Sequence, residues 1–97
     1  MMTDEDKLKM LEAELDMRHA DEKREAQLRQ LLTVAASRIA RYGITLRDDL
    51  DDTQLQVSMA AWIYRRRNQS AGPALPAYLR MDLHDRLIQE KGGESDG

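Results

Sequence analysis

The sequence predicts an all-α fold, a small bundle of about four helices with short loops and a flexible C-terminal tail. The chain has 97 residues, which is room for one hydrophobic core. It has no Phe, one Trp and three Tyr, so residues that favour strands are scarce. Its leucines recur at spacings of three and four, the period of an amphipathic helix. We therefore expect one helical domain over 1–91, followed by a small, polar, disordered tail over 92–97.

The first two helices are expected to be separate. Thr3 followed by Asp6 is a capping pattern, and a leucine stripe then predicts a helix over about 4–17. Asp21 can cap the second helix, and Gly43 can end it in the left-handed conformation. No Gly or Pro separates the two, so one continuous helix is the alternative. The predicted core face of the second helix is Leu28, Leu32, Ala35 and Ile39.

The third and fourth helices are separated by a Gly/Pro loop over 68–74. A connector over 44–50, pinned by its apolar residues, leads to a third helix capped by Asp51, Asp52 or Thr53. Pro76 is expected at the first position of the fourth helix. The predicted core residues of these two helices are Leu55, Met59, Trp62, Ile63, Leu79, Leu83 and Leu87.

No catalytic, cofactor-binding or metal-binding residues are predicted. His19 and His84 have no second His at ligand spacing and no Ser or Cys nucleophile beside them, and the chain has no Cys. The aspartates at 48, 49, 51 and 52 lack the Gly and Glu of a calcium loop, and they fit a role at a helix N-terminus better. Asp82 and Arg86, four residues apart, can pair on the helix surface.

The run Arg65-Arg66-Arg67 ends the most apolar helix and has two open interpretations. Cations favour a helix C-terminus and can pair within the chain, or they can contact another chain or phosphates. The net charge of −3 argues against a dedicated nucleic-acid binder. An acidic start without signal-peptide character, and no apolar run near the length of a membrane span, indicate a cytoplasmic protein.

Two segments of the C-terminal half resemble a known family. They are the helix Val57-Ser58-Met59-Ala60-Ala61-Trp62-Ile63-Tyr64-Arg65-Arg66-Arg67 and, after the loop, the stretch Pro76-Ala77-Tyr78-Leu79-Arg80. With the Gly43-Ile44 pair before them, they resemble the small head-tail connector (adaptor) proteins of tailed bacteriophages and prophages. The likeness covers about 21–91. The sequence departs from the family pattern in reading Leu83-His84-Asp85-Arg86-Leu87, where asparagines are common between the leucine and the arginine.

The resemblance implies a structural subunit without catalysis or cofactor. Such proteins form a ring under the portal of the capsid, extend the DNA channel without sequence-specific binding, and join a downstream stopper or tail protein. It implies a location at the head-tail junction of the virion after assembly in the host cytoplasm. The candidate interface residues are Arg65, Arg66, Arg67, Tyr78, Arg80 and Arg86. The alternatives are a small helical DNA-binding or regulatory module, an antitoxin-like dimer, and an enzyme with an unfamiliar site.

Overall fold

The computed structural model describes residues 2–18, 20–67 and 75–95, with side chains up to residue 92. His19, the loop over 68–74 and tail residues 96 and 97 lie outside the described residues. The described part contains no strand, and the predicted all-α fold is confirmed. Its four helices are α1 (Asp4–Glu14), α2 (Glu22–Arg41), α3 (Leu50–Arg65) and α4 (Ala77–Ser95).

The N-terminus of α1 is a reciprocal capping box, as the sequence predicts. The Thr3 hydroxyl accepts from the Asp6 amide at 3.1 Å, and the Asp6 carboxylate accepts from the Thr3 amide at 3.1 Å. Hydrogen bonding to the Asp6 carboxylate, first from the Thr3 backbone amide and then from the Thr3 side chain, lowers the pKa of Asp6. The helix ends at Glu14, before the predicted residue 17, because Asp16 turns the chain with a φ of 59°.

The two ends of α2 are also where the sequence places them. The Asp21 carboxylate accepts from the Arg24 amide at 2.8 Å and caps the first turn. Gly43, with a φ of 92°, follows the C-cap residue Tyr42 and takes the left-handed conformation that ends the helix. The predicted break between α1 and α2 is therefore confirmed.

The predicted start of α3 is wrong. Asp49 is the N-cap, and its carboxylate accepts from the Asp52 amide at 2.8 Å. Asp51, Asp52 and Thr53, which the sequence offers as caps, lie inside the first turn. Asp52 and Thr53 are buried, and Asp51 is exposed. Each aspartate in this run is a suitable N-cap residue, so the local sequence does not distinguish between them. Asp49 is the earliest aspartate whose side chain reaches a free amide of the first turn.

The connector before α3 is held by Ile44 and Leu46 rather than by all three of its apolar residues. Ile44 is buried and Leu46 is partly buried against the core, whereas Leu50 begins α3 with 63% of its surface exposed. Its side chain stands on the outer face of the first turn, so it takes no part in pinning the connector.

The fourth helix differs from its prediction at both ends. Pro76 stands one residue before α4, and its carbonyl accepts the first helical hydrogen bonds, from Leu79 and Arg80. The helix extends to Ser95 and so includes residues 92–95, which the sequence assigns to the tail. Glycine in a helix costs only about 1 kcal/mol, so the glycines of this segment do not forbid it.

The core is built around α3, which packs against the other three helices, while α4 packs mainly against α3. The sequence-predicted core residues fall into two groups. Eight of them are buried: Leu28, Leu32, Ala35, Ile39, Leu55, Met59, Leu79 and Leu83. Three are only partly buried at the edge of the core: Trp62, Ile63 and Leu87.

The leucine stripe of α1 was not among the predicted core residues, yet Leu8 and Leu11 are fully buried. They face α2 and α3, which pack against α1. A short helix with so few apolar residues is stabilised mainly by such packing, because isolated helices of this length are marginal in water. Leu8 and Leu11 therefore hold α1 in the bundle.

We predict that Leu8→Ala lowers the free energy of unfolding by about 2–4 kcal/mol, because it leaves a cavity where the side chain was fully enclosed. Leu50→Ala is the control with the same chemistry at an exposed site, and it should change stability by less than about 0.5 kcal/mol. Urea unfolding followed by helical circular dichroism measures both. Equal losses in the two variants would contradict this packing of α1.

Candidate interaction surface

A buried ion pair joins α3 to α4. Arg86 Nε donates to Asp52 Oδ1 at 2.8 Å, and Arg86 Nη2 donates to Asp52 Oδ2 at 3.1 Å. Asp52 is 1% exposed and Arg86 is 7% exposed. This two-point geometry fits the planar guanidinium and is the strong form of a charge-assisted hydrogen bond.

The same pair also holds the connector before α3. Arg86 Nη2 donates to the Thr45 carbonyl at 2.8 Å, and Asp52 Oδ2 accepts from the Arg47 amide at 2.7 Å. Glu90 lies 3.6 Å from Arg86 and accepts from the Thr45 amide at 2.6 Å. Three separate segments, the connector, α3 and α4, are thus linked through one polar cluster.

The environment of the pair sets its protonation. Burial raises the pKa of Asp52, but hydrogen bonds from Arg86 and from the Arg47 amide outweigh that effect and bring the pKa below its ordinary value of 3.8. The hydrogen bond to Asp52 raises the pKa of Arg86 more than burial lowers it. Both groups therefore carry their charge inside the fold.

The position of Arg86 corrects two interpretations of the sequence. Arg86 is a predicted interface residue, but its guanidinium is enclosed within the chain. It was also offered as a surface partner of Asp82, four residues away, whereas it pairs with Asp52 and Glu90. Helical periodicity indicates partners on the same helix, and the partner that binds Arg86 most closely comes from another helix.

The arginine run at the end of α3 makes contacts within the chain. Arg65 donates to the Glu14 carbonyl at 2.9 Å and so ties α3 to the end of α1. Arg67 lies 3.8 Å from the centre of the Tyr64 ring and donates to the Tyr64 carbonyl at 2.8 Å. Arg66 lies over Trp62, with 5.2 Å to the ring centre. These contacts favour the intrachain interpretation of the run.

Tyr64 is in contact with two cations. The guanidinium of Arg24, in α2, lies over the Tyr64 ring and donates a hydrogen bond to the Tyr64 hydroxyl. The guanidinium of Arg67 also lies over the ring. Tyr64 is only 8% exposed. Tyr64 is not among the site residues predicted from the sequence, because the cation that reaches its hydroxyl lies 40 positions away in the chain.

The outer face of α4 carries an apolar ridge. Tyr78, Met81 and Ile88 are 52%, 65% and 55% exposed. Met81 and Ile88 lie on the side of α4 opposite the buried Leu79, Leu83 and Arg86, and Tyr78 lies at the edge of that side, on the same face as Asp82 and Asp85. Of the sequence-predicted interface residues, Tyr78 is therefore on this ridge.

On one side of the ridge is an apolar groove of about 440 Å³ between α4 and the end of α2. It is lined by Tyr42, Leu75, Arg80, Leu83, His84 and Leu87. A second depression, also bordered by Tyr42, continues it to Arg38 and Arg41. We call this side of the molecule, with Arg38, Arg41 and Arg80 around the groove, the basic flank.

On the other side is a smaller groove of about 260 Å³ between α4 and the first turns of α3. Asp51, Asp82 and Asp85 are exposed along it, with Gln54 and Gln89 between them. The buried Asp52 and Arg86 form its floor. We call this side, defined by Asp51, Asp82 and Asp85, the acidic flank.

Within the described residues, no three His, Asp or Glu side chains are grouped as metal ligands. In the same part of the chain, no helix combines the length and the apolar character that crossing a bilayer requires. Comparison of the sequence and structure with protein-family models, curated proteins and solved structures finds no match. The candidate interaction surface is therefore described by its own geometry, which is the apolar ridge with the basic flank and the acidic flank beside it.

We predict that the ion pair makes stability depend on acid pH. Because the pKa of Asp52 is lower in the folded state, its contribution is complete above the unfolded pKa of about 4 and is lost as the pH falls through the folded pKa. Asp52→Asn should be less stable at neutral pH, and its difference from the wild type should shrink below about pH 4.

Urea unfolding between neutral and strongly acid pH measures this difference. Asp82→Asn is the control, because Asp82 is exposed and makes no ion pair with any residue that the structure describes, and it should keep the wild-type acid dependence. A constant difference between Asp52→Asn and the wild type across the whole range would contradict the assignment.

Proposed function

We propose that this protein is a structural head-tail connector (adaptor) subunit of a tailed phage or prophage. It oligomerises into a ring under the portal, extends the DNA channel and joins the capsid to a downstream connector, stopper or tail protein. The DNA passes through without sequence-specific contacts. In this proposal the subunit is not an enzyme and works at the head-tail junction of the virion.

The observation that carries the proposal is the pair of unlike flanks on either side of the α4 ridge. A ring requires head-to-tail contacts, in which two different faces of each subunit meet. A symmetric dimer needs only one self-complementary face. Here the groove of the basic flank is larger and lined mainly by apolar surface, whereas the groove of the acidic flank is smaller and lined mainly by charged and polar residues. Two faces of different shape and opposite charge suit the ring.

The ordered features that resemble the connector family also support the proposal. Gly43 ends α2, the apolar α3 carries the Ala-Ala-Trp-Ile-Tyr-Arg segment at its C-terminal end, and Pro76 precedes α4. The boundaries of the helices therefore coincide with the motifs on which the resemblance rests. The exposed Tyr78 and Arg80 of the Pro-x-x-Leu-Arg stretch stand on the α4 surface, where a neighbour can reach them.

The alternative of a small DNA-binding module has less support. Arg65 and Arg67 have partners within the chain, and the net charge is −3. A phosphate-binding surface gains its affinity from basic side chains that are free to release counterions, so binding would fall steeply with salt. A gel shift with duplex DNA at low salt is the direct check, and we expect no retained complex.

The proposal predicts assembly. At high protein concentration, light scattering coupled to gel filtration should show a species much larger than a dimer, and negative-stain images should show rings with a central channel. Addition of a purified portal ring should favour the same assembly. A chain that stays monomeric alone and does not associate with the portal would contradict the connector role, and a dimer without larger species would favour an antitoxin-like module.

A further inference from the structure

The charged side chains of the two flanks have no ion-pair partners in the described part of the chain. Arg38, Arg41 and Arg80 are exposed on the basic flank, and the three aspartates are exposed on the acidic flank. The ion pairs that the described residues do form involve other arginines: Arg29, Arg47, Arg65 and Arg86. The flanks are thus two sets of opposite charges that the subunit itself leaves unpaired.

The flanks point in different directions. Arg80 and Asp82 are two positions apart on α4, which places them about 200° apart around the helix axis. Met81 and Ile88 of the apolar ridge stand between the two sides, and Tyr78 borders the acidic side. One subunit therefore cannot bring its own flanks together, but two neighbouring subunits can.

We infer that the acidic flank of one copy docks on the basic flank of the next copy, and this inference rests on the proposed connector function. Asp82 and Asp85 would face Arg38 and Arg41 across the contact, while the exposed apolar ridge supplies side chains for the groove beside Tyr42. Electrostatic complementarity of this kind selects the partner and the register of an interface. The contact is head-to-tail, because a different face of each copy takes part.

A second copy suits the basic flank better than the segment 68–74 of the same chain. The loop over 68–74 contains no charged residue, so it has no carboxylate to pair with Arg38, Arg41 or Arg80. The acidic flank has three carboxylates, and every copy carries both flanks. Repetition of one contact then uses all of these charges.

The test uses two charge-reversal variants of the full chain. Asp82→Arg with Asp85→Arg makes the acidic flank basic, and Arg38→Glu with Arg41→Glu makes the basic flank acidic. In each variant alone, like charges meet at every contact, and we expect the dissociation constant of assembly to rise by about 100-fold. Lys9→Glu with Lys23→Glu is the matched control, because it reverses two exposed positive charges away from both flanks and gives the same net charge as the second variant.

Mixing the two reversal variants in equal amounts gives the decisive result. The native basic flank of the first fits the native acidic flank of the second, and the two reversed flanks also fit each other. The mixture should therefore recover assemblies larger than a dimer, as measured by light scattering, and circular dichroism should show that each variant is folded. Added salt should weaken the wild-type assembly.

Three results would overturn the inference. If the wild type assembles and either reversal variant assembles equally well, the contact lies elsewhere and the connector role still stands. If the folded variants fail to associate when mixed, or stop at a dimer, the head-to-tail pairing of these flanks is wrong. If the wild type never assembles, either alone or on a portal ring, the inference and the proposed function both fail.

Discussion

The structure depends on the buried ion pair between Asp52 and Arg86. Most of the core is formed by α1, α2 and α3, and α4 adds only a few apolar side chains to it. A displaced leucine can find other apolar contacts, but a buried charge separated from its partner costs about 3–5 kcal/mol. The hydrogen bonds of the pair to Thr45 and Arg47 also fix the position of the segment 44–50 before α3. Only one rotation of α4 about its axis satisfies this cluster.

The rotation of α4 about its axis also determines which of its side chains are exposed to solvent. With Arg86 turned towards α3, Met81 and Ile88 must face outwards, and the acidic and basic flanks fall on opposite sides of these two residues. An interaction inside the subunit thus orients the surfaces that we propose for contact between subunits. Exposed apolar side chains of this size are common at interfaces, where their burial stabilises the complex.

The features that could be predicted from the sequence are local ones. The Thr3 capping box, the Asp21 cap and the Gly43 terminus each depend on residues within one helical turn, and the leucine stripes indicate which face of α2 is buried. The Asp52–Arg86 pair could not be found in this way, because 34 positions separate its members and an equally plausible partner, Asp82, lies nearer to Arg86 in sequence. The two flanks could not be predicted for the same reason, because Arg38 and Arg80 are distant in sequence and come together at one groove only through tertiary packing.

The measurement that tests the central role of the pair most directly is a double-mutant cycle on Asp52→Asn and Arg86→Met, using free energies of unfolding at neutral pH. A second cycle with Asp82→Asn and Arg86→Met serves as the reference, since it tests the surface pair that the sequence indicates. We expect a coupling energy of about 2–3 kcal/mol in the first cycle and close to zero in the second. A coupling near zero between Asp52 and Arg86, or a larger one between Asp82 and Arg86, would contradict the account.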